Sequence, residues 1–362
     1  MPVLAAILVL ALLIVVHELG HFAAARLQKI RVSRFSIGFG PVLVKYQGAE
    51  TEYAVRAFPL GGYVGFPDDD PESDISPEDP NLLRNRPVLD RAIVISAGVI
   101  ANLIFAYFLL VGQAAIVGIP EFSEPGVLIP QVVMEEGAAA WQAGVKPGDI
   151  ILEVNYQPLG SSRTVIDTLK QEIQNSPNQP LDLKIKRGDE LLNLTVTPNR
   201  DSQGRGKLGI MLAPHGKVTR RLPIGIAEAF AAGAQEYQYI ATLTVQGFSQ
   251  LLSNFGETAQ QVAGPVAIVA IGADLARDDA GSLFQFGALI SINLAIINIL
   301  PLPALDGGQL VFLMIEGLRG KPLPSRVQDG IMQTGLVLLL GLGVFLIIRD
   351  TVNLAFFQEL FQ

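Results

Sequence analysis

The chain has 362 residues, half of them hydrophobic and 17% charged, with 34 acidic against 26 basic side chains and a formal net charge of -8. Zero cysteines exclude disulfides, cysteine-ligated zinc, iron–sulfur clusters and thiol nucleophiles, and the acidic balance argues against nucleic acid as a partner. A positive mean hydropathy accompanies apolar residues concentrated at 2–25, 92–119, 280–315 and 331–348, with a mixed polar region at 120–222, which reads as a membrane protein carrying a soluble insert.

The first element runs from Val3 to Val16 without a polar residue and then reads His17-Glu18-Leu19-Gly20-His21. On a helix His17 and His21 lie on one face, one turn apart, so both imidazoles can reach one zinc ion with Glu18 beside it to act on water. Ionisable groups inside a membrane helix are costly and usually functional. The bland alternative is a pair of histidines satisfied in a helix core, and it is weakened because the chain has only three histidines. A signal peptide is the other possibility, but the stretch lacks a basic start. It is expected to be retained as a first span over 3–26, with Arg26, Lys29, Arg31 and Arg34 marking the cytoplasmic side.

Residues 35–66 alternate like strands and are rich in Gly and aromatics, which fits a β-hairpin at the membrane interface. Its edge could pair with an unwound substrate, or it could be an ordinary small sheet packed on the helices. Residues 67–80 form an acidic, proline-containing loop. The second span, 91–118, carries the small residues Ser96-Ala97-Gly98 and, at membrane depth, Asn102. For Asn102 a helix–helix hydrogen bond is the preferred reading over a catalytic role.

From 120 to 222 short apolar strands alternate with turn residues, and helical pieces fit Ala138–Ala143 and Ser162–Asn175, enough for one domain. Residues 224–262 read as a surface or interfacial amphipathic helix, and 262–275 as an apolar segment too short to span, buried or interfacial. The third span, 282–318, is interrupted by Asn298-Ile299-Leu300-Pro301-Leu302-Pro303-Ala304-Leu305-Asp306-Gly307-Gly308. Lipid cannot repair such a break, so it should line an enclosed or watery cavity. A fourth span covers 331–348, and basic residues at 319–326 agree with a cytoplasmic loop, which leaves the 120–222 insert outside the cytoplasm.

Catalytic zinc needs a third protein ligand and an open position. With His215 in the insert on the wrong side, Asp306 in the break is the best candidate, and Glu18 would take a proton from water and deliver it to a leaving amine. The Asn298 amide could bond a substrate backbone or a developing oxyanion, or simply cap the broken helix.

His17-Glu18-Leu19-Gly20-His21, Asn298-x-x-Pro301-x-Pro303-x-Leu305-Asp306-Gly307 and an insert between the second and third spans together resemble the site-2 protease family, in its bacterial sigma-E-regulating branch. The resemblance implies a polytopic α-helical membrane protein of about four transmembrane helices with an interfacial β-hairpin and an inserted PDZ-like α+β domain. It implies Zn2+ held by His17, His21 and Asp306, Glu18 as catalytic glutamate and Asn298 as a substrate contact. The implied partners are the lipid bilayer and single-span membrane proteins such as anti-sigma factors, and the implied location is the bacterial plasma membrane. Gly126-Val127-Leu128-Ile129 and Ala143-Gly144-Val145-Lys146-Pro147-Gly148-Asp149 are similar to PDZ strand and turn segments. Such a domain would bind peptides or, as preferred here, exclude substrates with bulky outer domains; one PDZ unit stands where the best-known branch members have two. The expected division is 1–118, 120–222 and 223–362. The competing reading is a catalytically silent membrane scaffold; a transporter or metal sensor fits four spans with one broken helix poorly.

Overall fold

A computed structural model describes residues 2–70, 74–133, 137–162, 164–201, 204–254, 256, 262–279 and 281–353. The chain divides into two compact units, one of residues 1–114 with 226–362 and one of residues 115–225.

Helix α1 (Pro2–Leu27) opens the first unit. Its Val and Ile runs are poor helix formers in water, but hydrocarbon leaves the backbone no partner except itself. Two bent strands follow, β1 (Arg34–Gln47) and β2 (Glu52–Gly65), and their register differs from a plain hairpin. The first half of β1 lies between both halves of β2: Arg34–Ile37 pair in parallel with Glu52–Val55, and antiparallel with Gly65–Gly62. The second half of β1 then returns antiparallel on Glu52–Arg56. Arg56 holds the segments together, donating from Nε to Ser36 Oγ (2.9 Å) and from its terminal nitrogens to the Gly40 carbonyl (2.9 Å) and the Tyr63 hydroxyl (3.1 Å). Ala25, Ile30, Val32 and Val94 bury one side of this sheet against the end of α1 and against α2 (Val88–Ile116), with Val64 and Phe66 packed on them.

The 115–225 unit is mostly strand: β3 (Ile119–Phe122), β4 (Val127–Val132), β5 (Ile150–Val154), β6 (Gln157–Pro158), β7 (Leu181–Arg187), β8 (Glu190–Val196), β9 (Asn199–Arg200), β10 (Gly206–Lys207), β11 (Ile210–Pro214) and β12 (Val218–Arg221). Helices α3 (Ala139–Gln142) and α4 (Val165–Asn175) interrupt them. An antiparallel sheet runs β11-β4-β5-β7-β8 with β6 on β5, while β3 pairs with β12 and β9 with β10. The alternating pattern Leu181, Leu183, Ile185 sends three side chains into one core. Val165, Leu169 and Ile173, four apart, present the matching face of α4 to it.

The first unit resumes with α5 (Ile226–Ser253), α6 (Pro265–Asp278), α7 (Ser282–Ile299), α8 (Asp306–Arg319) and α9 (Ser325–Asn353). Helix α5, expected at a surface, buries Ile240 in a cluster with Ala106, Leu110, Ala288 and Ile292, and so packs among α2 and α7. Its periodicity is the same for a surface helix and for one with a single buried face, and only the neighbours decide. Helix α6 packs on α1, with Gly272 close to Ala6 and Phe286, and Asp350 of α9 accepts a hydrogen bond from the Ala267 amide at its start (3.0 Å). Among the described residues four helices, α1, α2, α7 and α9, are long and apolar enough to cross a membrane. Between α7 and α8 the chain leaves the helix at Leu300 and re-enters it at Asp306, with Ala304 at φ 68° and its amide donating to Met332 Sδ (3.3 Å).

Candidate metal centre

The break between α7 and α8 brings Asp306 to the two histidines of α1. His17 Nε2 lies 3.3 Å and His21 Nε2 3.4 Å from Asp306 Oδ2, and the two Nε2 atoms are 3.2 Å apart. A tetrahedral zinc site with bonds of about 2.0–2.1 Å needs donor atoms about 3.3–3.4 Å apart, and this triangle has that size. Asp306 Oδ2 is buried and accepts no hydrogen bond, although its carboxylate is only 15% exposed. A buried carboxylate oxygen without a donor is costly, and a cation between it and two imidazole nitrogens removes the cost. The residues present therefore fit a zinc ion. Among the described residues this is the one cluster of three such donors.

Helix α2 forms the wall behind the imidazoles. His21 Nδ1 lies 2.8 Å from the Val94 carbonyl, and Asn102 Nδ2 lies 3.3 Å from His17 Nδ1. Gly98 makes this approach possible: a Cβ there would stand 2.8 Å from His17 Cε1 and overlap the His21 ring. Asp306 is steadied from the other end of α8, where Glu316 forms a bidentate pair with Arg91 of α2.

Glu18 lies beside the cluster, under the last segment of β2. A Cβ on Gly62 would meet Glu18 Cγ at 2.8 Å and the Ser36 carbonyl at 2.9 Å. Asn298 is half-buried in the last turn of α7, eight positions before Asp306, and has no hydrogen bond to His17, His21 or Asp306. His215, set aside as a ligand, bonds the Pro125 carbonyl (2.8 Å) and Glu124 within the 115–225 unit. The contacts of Val94 and Gly98 with the histidines are new relative to the sequence. A backbone carbonyl has no sequence signature, and Gly98 reads only as a generic small residue.

The histidine pair thus lies on a helix long and apolar enough to cross a membrane, and the carboxylate opens the helix that follows the break after another such helix. The chain belongs to peptidase family M50, the site-2 protease family, whose model matches residues 5–342. It is 64% identical over the full length of both chains to a Nostoc sp. protein named as a zinc metalloprotease. It is 47% identical to the Arabidopsis thaliana "Membrane metalloprotease ARASP, chloroplastic", over 99% of this chain and 80% of that one. Protease RseP of Yersinia pestis is 32% identical over 94% of this chain and 96% of its own length. Among solved structures, a PDZ domain of an SdrC-like protein from Listeria innocua aligns with 25% of this chain and 96% of its own, at 23% identity and a TM-score of 0.21.

Proposed function

We propose that the chain is an intramembrane zinc endopeptidase that cleaves single-span membrane proteins, anti-sigma factors among them. The observation that carries this reading is the donor triangle of His17 Nε2, His21 Nε2 and Asp306 Oδ2, with edges of 3.2 to 3.4 Å and an oxygen that nothing else satisfies. These three residues hold the metal. Zinc bound there supplies Lewis acidity that polarises a carbonyl and acidifies water. Glu18, one position after His17 and packed under Gly62, takes the proton of the attacking water and passes it to the leaving amine. Asn298 donates its amide to the substrate backbone or to the developing oxyanion. A spanning helix must unwind before its peptide bonds can be attacked, and the outer edge of the second half of β2, over Glu18, offers a backbone for it to pair with. The exposed apolar run Val42, Leu43 and Val44 on the other edge suits a sheet dipped into the membrane interface.

In this reading residues 1–118 and 223–362 form the membrane domain of a bacterial plasma-membrane protein, and 120–222 is a PDZ-like insert outside the cytoplasm that screens substrates by size. The orientation rests on the basic residues after α1 and at 319–326. A catalytically silent scaffold would share the fold but have no use for Glu18. The test is cleavage of a model single-span substrate by the full chain and by Glu18→Gln in lipid vesicles. The expected result is a rate lower by about 10²–10⁴ in the variant, with zinc retained. Equal cutting by both proteins sinks the protease reading.

A further inference from the structure

Asn102 is fully buried, its Oδ1 has no hydrogen-bond partner, and its Nδ2 stands 3.3 Å from His17 Nδ1. Its backbone carbonyl accepts a bond from Ser291 Oγ (2.8 Å), which fixes this point of α2 against α7. The side chain is thus held against one metal-site imidazole with its oxygen unused.

Imidazole protonation decides what the amide can do there. A neutral imidazole that ligates through Nε2 carries its proton on Nδ1, and that N–H needs an acceptor. His21 has one in the Val94 carbonyl at 2.8 Å. Opposite His17 Nδ1 the structure sets only the Asn102 amide, and an NH2 facing an N–H places two donors against each other. A half-turn of the amide exchanges its oxygen and nitrogen in nearly the same volume. The buried oxygen then accepts from His17 Nδ1, and the count of hydrogen bonds is unchanged.

We infer that Asn102 presents Oδ1 to His17 Nδ1–H when the metal is bound, and so acts as a positioning residue that fixes the His17 tautomer and keeps the Nε2 lone pair aimed at the metal. Helix α2 would then orient both imidazoles, one through a backbone oxygen and one through a side-chain oxygen. The inference rests on the zinc site proposed above.

Two variants of the full chain in detergent separate acceptor from donor. Asn102→Leu keeps the size and removes both functions, while Asn102→Asp keeps the acceptor and removes the donor. Zinc affinity, measured by competition with a chromophoric chelator, should fall about 10–100-fold in Asn102→Leu and stay at or above wild type in Asn102→Asp. If the amide served only as a donor in a helix–helix bond, Asn102→Asp would lose as much as Asn102→Leu, and that result overturns the inference. So does undiminished affinity in Asn102→Leu. A wild-type chain that binds no zinc removes the metal site itself, and this inference with it. A second measurement needs no variant at position 102: ring ¹⁵N spectra of the zinc-loaded wild type, assignable because the chain has three histidines. They should show the His17 Nδ1–H shifted as a hydrogen-bonded donor, like the His21 Nδ1–H against the Val94 carbonyl, and a His17 Nδ1–H without a hydrogen bond overturns the inference.

Discussion

Asp149 in the 115–225 unit and Asp306 in the helical unit are both carboxylates shielded from water, and their oxygens are treated in opposite ways. Asp149 is fully buried and fully satisfied. Arg187 donates to Oδ1 (2.7 Å) and Oδ2 (2.8 Å), and the Lys146 amide adds a bond to Oδ2 (2.8 Å). Burial pushes the Asp149 carboxyl up, but the Arg187 guanidinium and the Lys146 amide outweigh it and hold the group below the usual carboxylate range. Asp306 has no such partners, and its Oδ2 faces two imidazole nitrogens at 3.3 and 3.4 Å. A buried carboxylate that its own fold satisfies is a fastener, whereas one left open toward other lone pairs is waiting for a cation. The contrast lies in hydrogen-bond satisfaction and not in burial.

The comparison breaks if Asp306 turns out to be the fastener. Asp306→Asn should lower zinc affinity by more than about 100-fold while leaving the apo chain as stable as wild type, because no hydrogen bond of the fold is lost. A large drop in apo stability with zinc affinity intact would reverse the assignment. Gly62→Ala probes the neighbouring group: its new Cβ would press on Glu18 Cγ, so cleavage should fall by about 10–100-fold with zinc affinity unchanged. Cleavage at the wild-type rate would show that Glu18 needs no exact seat.

The smaller effects lie in the other unit. Arg187→Met strips Asp149 of its cation and should destabilise the 115–225 unit by up to about 3 kcal/mol without touching zinc affinity. Trp141, the only tryptophan of the chain, lies in this unit and reports its unfolding by fluorescence. The pH dependence follows from the same pair. Because the folded Asp149 is more acidic than the unfolded one, its contribution is complete above the unfolded pKa of about 3.9 and drains away as pH falls through the lower folded value. Acid should therefore loosen the wild-type unit below about pH 4, and Arg187→Met should flatten that slope. A slope unchanged in the variant would detach Asp149 from acid stability.

Much of the candidate site is legible in the sequence because polar groups are rare where it lies. His17, Glu18 and His21 end an apolar run of fourteen, and Asp306 is the only carboxylate of its stretch. The Pro301 and Pro303 break announced irregular backbone, and the structure has it at Leu300–Leu305. What stayed hidden depends on neighbours. Period-two alternation in 35–66 marks strands but not the bend that puts half of β1 between the halves of β2. The Val94 carbonyl on His21 leaves no trace in a side-chain pattern, and the depth of α5 depends on which helices it meets.

The candidate ligands His17 and Asp306 stand nearly three hundred positions apart, in α1 and at the start of α8. A chain enters the membrane in order of synthesis, so α1 arrives with both imidazoles while its third donor has yet to be translated. On the proposed reading, the growing polypeptide carries two of the three ligands while nearly three hundred further residues are made. On that reading the arrangement would work as a safety catch in time, because the ability to cut membrane helices arrives only once α8 has been made and inserted.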